Sequence, residues 1–132
     1  PLYNPFYWED IDLSYRALKS GYKVFFEHES IVTHEHEKGA IKTKFKPAKV
    51  RGIVFRNQFI FIWKNITQDS LIFSHIFWLP YHFLKAFLAR EWAFFIGFYF
   101  ALTMLPQIMH QRFLAKKMFV RTDSEVLKEF KT

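Results

Sequence analysis

Phe6-Tyr7-Trp8-Glu9-Asp10-Ile11-Asp12-Leu13-Ser14-Tyr15-Arg16, followed by Gly21-Tyr22, sets three aromatics before an acidic cluster and the cluster before a helical pattern. Ile11, Leu13, Tyr15 and Leu18 mix with polar residues in a way that suits a half-buried helix better than a strand. Glu9, Asp10 and Asp12 then fall in the first turn, where carboxylates meet the positive end of the helix dipole. Lys19 in the last turn and Gly21 beyond it mark the stop. A carboxylate held at a helix start beneath an aromatic wall either presents a base to a substrate or caps the helix. On spacing alone the cap comes first.

Upstream, Pro1-Leu2-Tyr3-Asn4-Pro5 reads as the interior of a domain, with none of the features of a signal peptide. Downstream, Lys23-Val24-Phe25-Phe26 and Ile31-Val32-Thr33 read as two short strands around a polar turn, Glu27-His28-Glu29-Ser30. The loop His34-Glu35-His36-Glu37-Lys38-Gly39 follows. An H-x-H pair on a strand end points both rings to one face, as a metal site requires. Two ordinary histidines in a solvated loop is the other reading, and spacing favours it. A zinc site is not expected, since no further ligand cluster stands nearby. Asp10-Ile11-Asp12 has the form of a D-x-D metal motif, but that motif ends a strand and this one opens a helix.

A length of 132 residues suits one small domain or part of a larger one. Cysteine is absent, which excludes disulfides and thiolate metal sites. A net charge of +7 and a pI near 9.7 point to anionic partners such as nucleotides, phospholipid headgroups or nucleic acid. Aromatics make up 21% of the chain, 18 of them Phe, an excess that suggests a large apolar surface or a lipid interface. From Lys38 to Lys64 the chain carries Lys38, Lys42, Lys44, Lys46, Lys49, Arg51, Arg56 and Lys64 and no acid. That run can bind a diphosphate, lie on an anionic leaflet, or be a solvated face. It contains no recognised nucleic-acid reader, so no nucleic-acid partner is expected.

Pro47 separates this loop from a helical pattern beginning near Val50, apolar over more than one stripe. Arg56-Asn57 interrupts it, and the guanidinium needs a phosphate, a carboxylate, or a buried ion pair with Glu9 or Asp12. Asn65, Thr67 and Asp69-Ser70 mark a break and a new helix start. Leu71 to Leu88, interrupted by His75, Pro80, His82 and Lys85, reads as a poor membrane span. Trp92 to Met109 has no formal charge and reaches about the lower length limit of a span, roughly 17–18 residues. It is the place for one span or a re-entrant hairpin. Asp123-Ser124-Glu125 starts one more short helix. A chain this short cannot bury three such aromatic helices alone, so they pack on a missing domain, another chain or a membrane. Their His, Lys and Pro interruptions favour lying in the interface over spanning it.

Taken together, Phe6 to Ala17, Gly21-Tyr22-Lys23-Val24, Ser30-Ile31-Val32-Thr33-His34 and Arg56-Asn57 with Phe59 and Trp63-Lys64-Asn65 resemble a known family. The ordered set, over roughly residues 1–66, is similar to the C-terminal part of the catalytic domain of family 2 glycosyltransferases, especially the bacterial rhamnosyltransferase-like and galactofuranosyltransferase-like enzymes. The resemblance implies an α/β fold. Residues 1–49 would be the C-terminal part of a GT-A (Rossmann-like) catalytic domain, and 50–132 a helical, membrane-associated tail. It implies inverting transfer from a nucleotide-diphosphate sugar to a hydroxyl of a cell-surface or lipid-linked glycan, with Mn²⁺ or Mg²⁺.

By position, Asp10 matches the catalytic base, Glu9 its acidic neighbour, Trp8 an aromatic of the acceptor site, and His34 the histidine that completes the metal shell. Arg56 adds positive charge toward the diphosphate. A general base and a cation on the leaving diphosphate are what such a transfer needs. The family's N-terminal half, with its nucleotide-binding strands and D-x-D, has no counterpart here, so the chain reads as a fragment inactive by itself. The expected location is the cytoplasmic face of a bacterial inner membrane, on an anionic surface. The reading from another class is a non-catalytic, basic and aromatic module that binds membranes or assembles a complex.

Overall fold

Helices account for the ordered architecture of the described residues, which are 2–25, 27–31 and 44–130 of a computed structural model. They are α1 (Glu9–Lys19), α2 (Pro47–Asn65), α3 (Asp69–Leu88), α4 (Trp92–Thr103), α5 (Leu105–Lys116) and α6 (Asp123–Lys128). No strand occurs among the described residues, so the expectation of an α/β, Rossmann-like fragment is corrected to an all-helical fold. Lys23, Val24, Phe25 and Ile31 have strand composition but lie exposed and outside any ladder. A run of three or four such residues becomes a strand only against a sheet, and among the described residues none stands beside it. Phe26, Val32 and Thr33 lie outside the described residues.

α1 stops where its sequence directs. Gly21 takes a φ of +85°, and the Tyr22 N–H donates to the Ala17 carbonyl at 3.0 Å, closing the last turn in left-handed backbone. α2 starts at Pro47, three residues before the apolar pattern suggests. A proline costs a helix nothing at its first position, where the missing N–H has no partner to lose.

α2 is the central element. It packs along α4 and α5 on one side and meets α1 on another. Its buried stripe is Ile53, Asn57, Ile60 and Lys64, which places an amide and an ammonium where a core helix ordinarily carries hydrocarbon. Around Phe59 the rings of Trp63, Phe94 and Phe98 stand 5.1–5.5 Å away in tilted or edge-on contact. Gly97 permits the α2–α4 crossing to be this close. A Cβ there would lie 2.7 Å from Phe55 Cβ and 2.8 Å from the Arg56 backbone nitrogen.

The reading of Leu71 to Leu88 as a poor membrane span is also corrected. α3, with 20 residues, is long and apolar enough to cross a membrane, and within it only Ala86 is buried. Pro80 sits inside it without ending it. Trp92 to Met109 is instead broken at Met104, where α4 and α5 meet at a 67° bend, the shape of a broken span or a re-entrant loop. Pro106 lies in the first turn of α5, so a helix starts there and the preceding one does not continue.

Candidate functional site

Arg56 and Asn57 hold the loop that carries the acidic pair. The Arg56 guanidinium donates to Asn57 Oδ1 through Nε at 3.0 Å and through Nη2 at 2.8 Å, and to the Asn4 carbonyl. With its oxygen so occupied, the fully buried Asn57 amide turns its nitrogen to the loop. Nδ2 donates to the carbonyls of Phe6 at 2.9 Å and Tyr7 at 3.0 Å. Between those carbonyls and α1, Tyr7 and Trp8 take φ of 70° and 76°, left-handed backbone that bulky residues avoid. Conformations of this kind cost on the order of 1–3 kcal/mol each and persist only where surroundings over-determine them. Asn57 and the contact of Trp8 with Phe61, at 5.3 Å, supply that restraint.

The strained turn delivers Glu9 and Asp10 to the exposed start of α1. Asp10 Oδ1 accepts from the Ile11 N–H at 2.8 Å, which sets the carboxylate against the first-turn amides. Trp8 is half-buried beside the pair. Trp8, Glu9 and Asp10 are therefore brought to one end of α1, whereas Arg56 is held on Asn57 and the Asn4 carbonyl. His34 lies outside the described residues. Among those described, no group of three or more His, Asp or Glu is placed to hold a metal ion.

Two further carboxylates carry the structure beneath this site. Asp12, 3% exposed, accepts from Tyr3 OH, Lys64 Nζ and Asn65 Nδ2, each at 2.7 Å, and from Arg16 Nε at 2.8 Å. Asp123, fully buried, accepts from Lys19 Nζ and Tyr15 OH at 2.7 Å and from the Thr67 and Gln68 N–H groups at 2.8 Å. Lys19, also fully buried, donates in addition to the Asn65 carbonyl at 3.0 Å. The first hub fastens α1 to α2, and the second fastens α1 to α6 and to the entry of α3. Sequence reading missed both. The available signal was the position of Asn57 and Lys64 on the same stripe of α2 as Ile53 and Ile60, which marks them as inward-facing.

Burial would raise the Asp12 carboxyl, but hydrogen bonds from Lys64, Asn65 and Tyr3 outweigh it and hold the group below its usual range. Asp123 is held down in the same way, against its burial, by Lys19, Tyr15 and the two backbone amides. Both groups bind a proton less readily folded than unfolded. Their contribution is thus complete above about pH 4, the ordinary carboxylate range, and is lost as pH falls through the folded-state values. We expect the urea midpoint, followed by circular dichroism, to hold from pH 7 to 5 and to drop steeply below pH 4. A midpoint flat down to pH 2.5 would contradict the two hubs.

No family model matches the chain, and neither a curated protein nor a solved structure does.

Proposed function

We propose that this chain carries the acceptor-activating end of an inverting glycosyltransferase attached to a membrane, with Asp10 as the general base. The observation that carries the reading is the exposed Glu9–Asp10 pair on a left-handed aromatic turn that Arg56 and Asn57 clamp in place. Strain of that kind gathers at functional sites, and a cap alone does not require it. In the reaction, Asp10 takes the proton of an acceptor hydroxyl as its oxygen bonds to the anomeric carbon of a nucleotide-diphosphate sugar. The bond from that carbon to the diphosphate breaks, and the nucleotide diphosphate leaves with the electron pair. Trp8 offers an apolar face to the acceptor, a cell-surface or lipid-linked glycan. The donor is gripped by a further catalytic part of the polypeptide. Ile11 and Leu13, exposed in the first half of α1, support a surface that such a part would cover.

The test is transfer from a panel of uridine, thymidine and guanosine diphosphate sugars to membrane-extract acceptors, with the chain in its natural polypeptide. Asp10→Asn should lower turnover by about 10²–10⁴-fold, the weight of a positioned base, with donor binding unchanged. Normal turnover by that variant would remove Asp10 from the mechanism. The proposal includes attachment at the cytoplasmic face of a bacterial inner membrane; the apolar, lightly covered α3 and the positive net charge support attachment to a membrane. Those two observations also favour the second reading, a non-catalytic membrane-binding or assembly module. An absence of transfer with every donor, together with membrane binding, would select it.

A further inference from the structure

α2 begins against the usual electrostatics of a helix. Its N-cap residue, Lys46, offers no side-chain hydrogen bond, and no acid stands in its first turn. Lys49 adds a second ammonium at the positive end of the dipole, stacked 5.0 Å above the Phe45 ring. Two cations at a helix N-terminus oppose the dipole, and a bound anion reverses the sign of that interaction. Beside this terminus, between the first half of α2 and α4, lies a groove of about 830 Å³. Lys46, Lys49 and Arg56 stand along one side of it. Its other wall is Trp92, Ile96 and Phe100, spaced i, i+4, i+8 along α4, each at least half exposed, over the buried Ile53. The three span about 12 Å of helix at 1.5 Å per residue.

An occupant must therefore join an anionic head to a long apolar body. A soluble anion leaves the aromatic wall wet, and a neutral lipid leaves the lysines uncompensated. α3, long and apolar enough to cross a bilayer, packs against α4, the helix that forms the groove's other wall. We propose that the groove binds one anionic phospholipid molecule. Its phosphate sits at Lys46, Lys49 and the first turn of α2, and its acyl chain lies along Ile53, Trp92, Ile96 and Phe100. This rests on the membrane-attachment part of the reading above, and not on the transfer chemistry.

The experiment is native mass spectrometry of the full chain in dodecyl maltoside, titrated separately with dioleoylphosphatidic acid, dioleoylphosphatidylcholine and inorganic phosphate. Flotation on mixed phosphatidylcholine and phosphatidylglycerol vesicles is read in parallel. The expected result is one phosphatidic acid retained per chain, about tenfold over phosphatidylcholine, with no retention of inorganic phosphate. K46E/K49E should abolish the preference. A48W, which fills the groove from an exposed lining position and leaves every cation in place, should reduce retention of the lipid while the chain stays helical and still floats. Equal retention of the two lipids, retention of inorganic phosphate alone, or retention unmoved by A48W would overturn the proposal. A wild-type chain that retains the lipid yet does not float would sink membrane attachment and leave the groove standing.

Discussion

Asp12→Ala is expected to destabilise the chain by about 3–5 kcal/mol, the cost of leaving a buried cation without its partner. The alanine deletes the acceptor for Tyr3, Lys64, Asn65 and Arg16 at once, and Lys64 and Asn65 stay buried in α2. A small domain holds only about 5–15 kcal/mol in total, so the urea midpoint should fall by roughly a fifth or more. Asp10→Ala, two residues away and exposed, should leave the midpoint where it is. The pair of variants separates the two carboxylates by their weight in the fold: Asp12 holds it together, and Asp10 does not. Equal midpoints for Asp12→Ala and the parent chain would mean that the hub contributes nothing net.

Asp123→Ala is expected to cost a similar amount, about 3–5 kcal/mol, by a different route. It leaves Lys19 fully buried and removes the acceptor from the Thr67 and Gln68 amides at the entry of α3. α6, held from outside by its Thr122–Glu125 capping box but docked through Asp123 and Val126, should then detach. Limited proteolysis in the 117–122 connection reads that detachment directly. Adding Lys19→Met to Asp123→Ala should restore part of the loss, since an apolar replacement of both partners leaves no stranded charge. A double variant as unstable as the sum of the two singles would show that Lys19 and Asp123 are not coupled.

The helices were legible in residues that act locally. Gly21 ends α1, Pro47 and Asp69 stand at the starts of α2 and α3, and Thr122-Asp123-Ser124-Glu125 spells a capping box. The sheet was misread for a physical reason. Val24, Phe25 and Ile31 have strand propensity, but propensity reports fitness for a pleated surface and supplies no neighbour to pair with. Lys64 could be read as inward-facing, but the pairings within the hubs could not, because the partners lie 52 residues apart for Asp12 and Lys64 and 104 apart for Lys19 and Asp123. Nothing periodic links such positions, and charged residues read one at a time look solvated. At the site, Trp8, Glu9 and Asp10 were visible as a cluster, whereas the left-handed turn beneath them was not, since neither Tyr7 nor Trp8 is a residue that advertises positive φ.

The long reach from Lys19 to Asp123 also orders events in time. A ribosome adding about 5–20 residues per second delivers Asp123 on the order of 5–20 s after Lys19. Through that interval the lysine has no carboxylate to meet at its buried position, so α1 is held to α2 by the Asp12 hub alone. α2, α4 and α5, whose contacts need nothing beyond residue 116, can pack meanwhile. The second hub is thus completed last. The turn bearing Glu9 and Asp10 needs only Arg56, Asn57 and Phe61 and is locked well before it.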